Sequence, residues 1–268
     1  MKKLGLFIII LCLFIACRNE KPKEQTNAQP NKVDTLSYTY DSVKVYSKYV
    51  IKNDQGTDTA KAIVKYPIFK NQALNTYINR QVLNYFSEED HSASSSYQYI
   101  TKNFIKGYES FYAENKNTPQ WWFLLIDINV IRQSKDYIAL KYIHSDYVGG
   151  AHGNTNISYL NYNPRTNQPI TLDSLIDIDQ KSKLLAIAEK QFRMNEKLTA
   201  TEPLGDKYFF EKGIFALANS YYVSEKGLVF LYNPYEIKAY AAGITELIIP
   251  FSALKAIAMP NSILTSTN

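Results

Sequence analysis

The chain has 268 residues with 30 basic and 25 acidic side chains, and its net charge of +5 excludes the strongly basic balance typical of nucleic-acid-binding proteins. Both cysteines, Cys12 and Cys17, lie near the N-terminus, which excludes disulfides, cysteine nucleophiles and cysteine metal sites from the rest of the chain. The 22 tyrosines are typical of a β-rich protein with half-exposed strands, and tyrosine also suits contacts to sugars and partner proteins.

The N-terminal segment has the pattern of a secretory signal. Two lysines precede an unbroken apolar run from Leu4 to Ile15, which is too short to cross the ~30 Å hydrocarbon core of a bilayer as a helix. Phe14-Ile15-Ala16-Cys17 resembles a bacterial lipobox, and this implies cleavage before Cys17, which then carries the lipid. We therefore predict a lipoprotein signal peptide at residues 1–16. A plain secretory signal with an incidental cysteine is the alternative.

Residues 17–32 are predicted to form a lipidated, disordered tether. The sequence from Arg18 to Lys32 has two prolines and no large apolar residue, so it cannot bury a core. Cleavage would remove two of the 30 basic residues and no acidic residue, which leaves a mature net charge of +3. So small a surplus predicts neither nucleic-acid binding nor electrostatic capture of a membrane surface. The lipid on Cys17 would be the membrane anchor.

The first half of the remaining chain predicts two strands followed by two helices. Alternation of Val and Tyr with polar residues predicts strands, and apolar residues at helical spacing predict helices. Asn71 is the candidate N-cap of the first helix. In chain order the elements are strands at Leu36–Val50 and Ala62–Phe69 and helices at Asn71–Phe86 and Tyr97–Ala113.

The second half predicts three hairpins, a longer helix and a short C-terminal helix. The hairpin strands are rich in β-branched and aromatic residues and are separated by polar turns. Antiparallel hairpins that interleave with a few helices, without regular βαβ alternation, predict an α+β fold. The elements are Trp121–Ile131 with Tyr137–Val148, Ile157–Tyr162 with Pro169–Leu172, a helix at Asp179–Met194, Tyr221–Val223 with Leu228–Leu231, a strand at Glu246–Ile249 and a helix capped by Ser252.

The three histidines give only weak support for a metal site. His91 lies in a Ser-rich loop and is predicted to be exposed and without a role. His144 and Asp146 share one face of a strand, with His152 eight residues after His144, and imidazole with carboxylate can bind zinc. We prefer a polar strand end that is bonded to backbone, with a metal site as the alternative. We predict no metal and no cofactor.

Three glycines follow that strand within five residues, at Gly149, Gly150 and Gly153. Such density allows positive φ or close approach of another backbone, but no helix follows, so this is not a phosphate loop. One interpretation is a bent connection between strands, and the other is an exposed loop that contacts a ligand.

The sequence supports neither a catalytic serine triad nor a glycosidase carboxylate pair, because it has no GxSxG elbow and its carboxylates are scattered. Asp127 is either buried or an outward strand position.

Several separated motifs resemble the RsiV-like family of extracytoplasmic proteins. They occur in the family's order: Tyr147–Gly153, Tyr159–Tyr162, Thr171–Leu175, Gly227–Phe230, Asn233–Ile237, Tyr240–Gly243 and Ile249–Ser252. Proteins of this family carry a PdaC-type domain followed by the domain of unknown function number 3298. The resemblance implies two tightly associated α+β subdomains, which we place at residues 33–165 and 166–258, before a tail at residues 259–268.

The resemblance also implies an extracytoplasmic binding role. The best understood members are anti-sigma factors whose outer domain binds lysozyme, and others place the domain ahead of a polysaccharide deacetylase. We expect this chain to depart from both, since its sequence shows no sigma-binding segment, no transmembrane helix and no deacetylase domain with metal ligands. The resemblance therefore implies a binding fold and does not identify its ligand.

The sequence thus predicts a lipid-anchored, non-enzymatic cell-envelope protein at the periplasmic face of the outer membrane or at the cell surface. Its partners would be the membrane, through Cys17, and either a lysozyme-like muramidase or peptidoglycan. The alternatives are an enzyme acting on peptidoglycan or polysaccharide and a structural partner in an envelope complex. The candidate ligand-binding residues form two clusters: Tyr147, Gly149, Gly150 and His152, then Tyr235, Glu236 and Tyr240. A purely structural turn, pinned by Pro234 and Gly243, is the alternative for the second cluster.

Overall fold

Six strands form the larger of two sheets, and their order in space follows their order in the chain. The structure is a computed structural model that describes residues 36–53, 56–89, 96–116 and 120–265. The strands are β1 (Tyr38–Asn53), β2 (Gly56–Phe69), β3 (Phe123–Gln133), β4 (Ile138–Tyr147), β5 (Asn154–Asn163) and β6 (Gln168–Pro169).

One neighbouring pair in this sheet is parallel. β2 and β3 pair in parallel from Lys61 opposite Phe123 to Lys65 opposite Asp127, and the other pairs are antiparallel. Between them in the chain lie α1 (Gln72–Glu89) and α2 (Tyr97–Glu114). A parallel pair requires a crossover of this length, whereas antiparallel strands can be joined by short turns. The sheet is therefore mixed.

Helices α1 and α2 bury their apolar faces in the core of the larger sheet. Leu74, Ile78 and Val82 recur every four residues along α1 and are all buried. Asn71 caps α1, since its Oδ1 accepts a hydrogen bond from the Leu74 N–H at 3.1 Å, and Ser96 caps α2 in the same way. The predicted cap at Asn71 is therefore confirmed.

A second, three-stranded antiparallel sheet follows. Its strands are β7 (Ser220–Val223), β8 (Gly227–Tyr232) and β9 (Thr245–Pro250), with β8 in the centre. All six residues of β8 are buried, as expected for a central strand covered on both faces. Three helices accompany this sheet: α3 (Leu172–Leu175), α4 (Lys181–Asn195) and α5 (Phe251–Leu254).

Side chains connect the two sheets along the open edge of β5. The fully buried phenol of Tyr137 donates to Asn161 Oδ1 at 2.6 Å and accepts from the Val223 N–H at 2.7 Å. Asn161 in turn donates through Nδ2 to the Tyr221 carbonyl at 2.7 Å. These side-chain bonds join the two sheets without a backbone ladder between β5 and β7, and the described residues from 36 to 265 belong to one compact unit.

The predicted α+β class is confirmed, and several element bounds differ from expectation. β2 begins at Gly56 instead of Ala62, because it pairs with the far end of β1. The expected strand Pro169–Leu172 shrinks to Gln168–Pro169, because the helix α3 begins at Leu172. The cap at Ser252 is wrong: α5 begins at Phe251, directly after Pro250, and has no side-chain cap.

Some predictions concern residues that the structure does not describe. The signal peptide, Cys17, the tether and His91 all lie outside the described ranges. The boundary between residues 165 and 166 stays a prediction. Within the described ranges, no helix combines the length and the apolar character needed to cross a membrane.

Candidate functional site

The glycine-rich segment forms a bent connection between β4 and β5. Gly149 and Gly150 have φ of +106° and +100°, which side-chain-bearing residues rarely adopt. The Tyr147 hydroxyl donates to the Gly150 carbonyl at 2.9 Å and fixes the bend. Gly153 lies close to the backbone of β4, since a Cβ there would be 3.1 Å from the Asp146 carbonyl oxygen. These contacts hold the side chain of His152 at the surface.

The second predicted cluster lies on a turn between β8 and β9. Tyr235 has a φ of +70° and its N–H donates to the Lys238 carbonyl at 3.0 Å. Glu236 Oε2 accepts from the Asn233 N–H at 2.7 Å, so one oxygen of this exposed carboxylate closes the turn. A 3₁₀ turn at Tyr240–Ala242 then presents the Tyr240 ring.

The structure brings both clusters together as one surface. The rings of His152 and Tyr240 stack with centroids 4.2 Å apart and an interplanar angle of 18°. Tyr235 lies beside them, 5.5 Å from Tyr240 and 6.4 Å from His152. Tyr235 is 58% exposed and Tyr240 is 39% exposed. We call His152, Tyr235 and Tyr240 the aromatic surface.

A backbone carbonyl fixes the orientation of the His152 ring. Nδ1 lies 2.9 Å from the Gly153 carbonyl oxygen, which can only accept, so Nδ1 carries the proton. The Tyr240 hydroxyl donates to the same carbonyl at 3.4 Å. In the tautomer with the proton on Nδ1, Nε2 is an acceptor on an exposed side chain. The aromatic surface therefore combines ring faces with one available acceptor.

Asn233, to which sequence reasoning gave no role, positions the second cluster. Its buried amide bonds both backbone groups of Ile157 in β5: Oδ1 accepts from the N–H at 2.7 Å and Nδ2 donates to the carbonyl at 3.0 Å. This pair of bonds imitates a strand partner and docks the turn against the larger sheet. The Asn-Pro sequence was a signal for a turn, but not for this contact.

Two family models match the chain in succession. The model described as "Deacetylase PdaC" matches residues 53–155, and the model described as "Protein of unknown function (DUF3298)" matches residues 173–252. In this chain a match to the PdaC model is thus followed by a match to the DUF3298 model, each over less than half of the chain. The resemblance read from the sequence motifs is thereby confirmed, and the aromatic surface joins the end of the PdaC domain to the DUF3298 domain.

One named relative matches part of the chain. The chain is 26% identical, over 176 residues, to a protein of Bacillus subtilis named peptidoglycan-N-acetylmuramic acid deacetylase PdaC. The match covers 65% of this chain and 33% of that relative, so it spans about a third of the relative's length.

Two solved structures share the fold. A DUF3298 family member from Bacteroides fragilis superposes with a TM-score of 0.66 at 23% identity, covering 87% of this chain and 98% of that one. A DUF3298 family protein from Pseudomonas aeruginosa superposes with a TM-score of 0.64 at 17% identity, covering 85% and 97%.

His144 and Asp146, the other candidates in the PdaC domain, form a separate pair beneath aromatic rings. His144 is buried, with its Nε2 3.5 Å from Asp146 Oδ1 and its ring against Tyr85 and Phe86. Burial raises the pKa of Asp146, and a hydrogen bond from the side chain of Asn154 opposes this shift. Among the described residues, no three His, Cys, Asp or Glu side chains are grouped to hold a metal ion.

Asp127, for which the sequence left two interpretations, is an outward strand position of the PdaC domain. Its side chain is 40% exposed, and Oδ1 lies 3.4 Å from Lys65 Nζ on the adjacent strand. Surface pairs of this kind contribute at most about 1 kcal/mol. Asp127 is thus part of the solvated face of the sheet.

Proposed function

We propose that this chain is a lipid-anchored binding protein of the cell envelope that holds wall glycan against its aromatic surface. The observation that carries the proposal is the stack of His152 on Tyr240 with Tyr235 beside it, exposed and held by backbone contacts. Rigid tyrosine rings bind with little loss of conformational entropy and combine an apolar face with a polar edge.

A sugar ring fits such a surface. Its C–H groups pack on an aromatic face while its hydroxyls bond to polar groups at the rim. Nε2 of His152 can accept from a sugar hydroxyl, and the Tyr240 hydroxyl, whose bond to Gly153 is long at 3.4 Å, can exchange partners. The aromatic surface therefore offers stacking and hydrogen bonding within one small area.

The name of the Bacillus subtilis relative supports a wall glycan as the ligand. That protein is named for peptidoglycan and N-acetylmuramic acid. The match covers a third of that relative, so we propose binding for this chain and do not transfer the relative's deacetylase activity to it. The lipobox-like Phe14-Ile15-Ala16-Cys17 supports the anchor, which would hold the domains beside the wall.

An enzyme acting on the glycan is the second candidate, and the word deacetylase in the relative's name favours it. His152 would be the group to test, because its Nε2 is the free nitrogen of an oriented imidazole. Release of acetate from peptidoglycan by the purified chain, lost on His152→Ala, would establish this candidate. Binding without acetate release would support the binding role.

Cosedimentation with insoluble peptidoglycan tests the proposal. The full chain in detergent micelles should bind saturably, and Tyr240→Ala should weaken binding about fivefold or more, the effect of losing about 1 kcal/mol of contact. Tyr46→Ala, which removes a 53% exposed tyrosine from β1, is the matched control and should bind normally. Equal binding by both variants would exclude the aromatic surface.

A muramidase is the other possible ligand and belongs in the same experiment. Soluble lysozyme-type muramidase is added without glycan, and complex formation is measured by size exclusion. A complex that Tyr240→Ala disrupts, with no binding of peptidoglycan, would replace the glycan by a protein ligand at the same surface. Metabolic labelling with palmitate, compared between the natural chain and Cys17→Ser, tests the lipid anchor.

A further inference from the structure

A polar cleft of about 640 Å³ lies on a different part of the molecule from the aromatic surface. Its walls come from the β3–β4 turn, the β5–β6 turn, α3 and the C-terminal segment. Representative lining residues are Arg132, Lys135, Asp136, Arg165, Ser174 and Asn261. Small-molecule sites commonly have volumes of about 300–1,000 Å³ and commonly lie where two domains meet. The cleft satisfies both conditions.

Positive charge exceeds negative charge in this cleft. Its lining has three cationic side chains and one carboxylate. Arg165 uses part of its guanidinium for the ion pair with Asp136, at 2.5 Å. Arg132 and Lys135 remain without a carboxylate within salt-bridge distance among the described residues. Two positive charges in the lining are therefore uncompensated.

Arg132 is the more informative of these two cations, because its side chain is only half exposed and is held in place. One guanidinium nitrogen donates to the carbonyls of Val223 and Ser224, at 2.7 and 2.6 Å. The guanidinium also lies 5.5 Å from the ring centroid of Tyr137. Cations in such partly buried positions are normally paired with an anion. Here only neutral acceptors are present, which leaves the charge available to a ligand.

We propose that this cleft binds a carboxylate-bearing sugar of about disaccharide size. Arg132 and Lys135 pair with the carboxylate, and the neutral polar side chains of the lining bond to hydroxyl and acetamido groups. The choice of a wall sugar rests on the proposed function, whereas the preference for an anion rests on the cleft alone. Muramic acid supplies such a carboxylate in its lactyl group, and glucosamine does not.

Isothermal titration calorimetry with two matched disaccharides tests the charge preference. The probes are N-acetylglucosaminyl-N-acetylmuramic acid with a free lactyl carboxylate and neutral N,N′-diacetylchitobiose, each titrated into the full chain in detergent micelles. We expect the acid to bind about tenfold tighter, as expected for a charge-assisted hydrogen bond. The difference in affinity between the acid and the neutral disaccharide should decrease as the salt concentration is raised. Equal affinity for the two disaccharides would overturn the proposal.

A pair of lysine variants locates the binding. Lys135→Gln removes an uncompensated cation of the cleft and should abolish most of the tenfold preference. Lys190→Gln removes the same charge from the exposed face of α4 and should leave the preference unchanged. Arg132 is left intact, because its bonds to Val223 and Ser224 hold the two sheets together. A preference as large in Lys135→Gln as in the natural chain would exclude this cleft.

The outcome for the cleft can be separated from the outcome for the proposed function. If Tyr240→Ala weakens cosedimentation with peptidoglycan while Lys135→Gln leaves the acid preference unchanged, the cleft proposal fails and the aromatic surface stands. If Lys135→Gln removes the acid preference while Tyr240→Ala binds the polymer normally, the cleft stands and the aromatic surface fails.

Discussion

Replacing Tyr137 by phenylalanine should measure how strongly the two sheets are joined. The Tyr137 hydroxyl bonds to Asn161 Oδ1 at 2.6 Å and to the Val223 N–H at 2.7 Å, with the side chain fully buried. Phenylalanine keeps the ring and its packing but leaves two buried polar groups without a partner. Each such group costs about 1–3 kcal/mol. We therefore expect Tyr137→Phe to lower the free energy of unfolding by about 2–6 kcal/mol.

Urea unfolding provides the measurement. Fluorescence of Trp121 and Trp122 reports on the larger sheet, and far-UV circular dichroism reports on the whole chain. Tyr46→Phe removes the hydroxyl of an exposed tyrosine and should change stability by less than about 0.5 kcal/mol. An equally small loss for Tyr137→Phe would refute the reasoning, because it would mean that the two orphaned groups find other partners. Coincident transitions by both probes would show that the sheets unfold together.

Three further predictions follow from local geometry and titration. Gly227→Ala should abolish soluble expression, because a Cβ would collide with the Ile249 carbonyl at a φ of +153°, whereas Gly150→Ala, with open space around it, should cost only about 1–2 kcal/mol in a thermal melt. Burial raises the pKa of Tyr221 to about 12, above its value of 10.0 in the unfolded chain. The unfolded state therefore loses this proton first, so stability is full below pH 10 and falls from pH 10 to 12, as urea titrations should show. Asn233→Ala should lower the free energy of unfolding by about 2–6 kcal/mol in urea and weaken peptidoglycan binding, because it orphans two backbone groups of β5.

The elements of the fold were largely predictable because they depend on local patterns. A few consecutive residues determine the cap at Asn71 and the fully apolar run of β8. The start of β2 at Gly56 was missed, since polar residues there form a strand only because β1 is long enough to pair with them. Pairing partners outside the local window decide such bounds.

The candidate site was only half predictable. The sequence identified His152 and Tyr240 as members of two clusters, but their stacking at 4.2 Å joins residues from distant parts of the chain. Asn233 docks the turn that carries Tyr235 against β5 by bonding to Ile157, and no periodicity in the sequence predicts this bond. Glu236 stays a predicted ligand-binding residue, and its bond to the backbone of its own turn was not predicted. Sequence patterns therefore name exposed polar and aromatic residues without assigning their partners.

Both candidate binding regions depend on the same junction between the two sheets. The aromatic surface combines His152, from the PdaC domain, with Tyr235 and Tyr240, from the DUF3298 domain. The cleft likewise combines Arg132 with Ser174. Because neither surface is complete on one domain, any change in how the domains dock would alter both together. Tyr137→Phe weakens this junction and keeps the ring beside Arg132. It should therefore reduce binding at both surfaces if it loosens the docking of the domains.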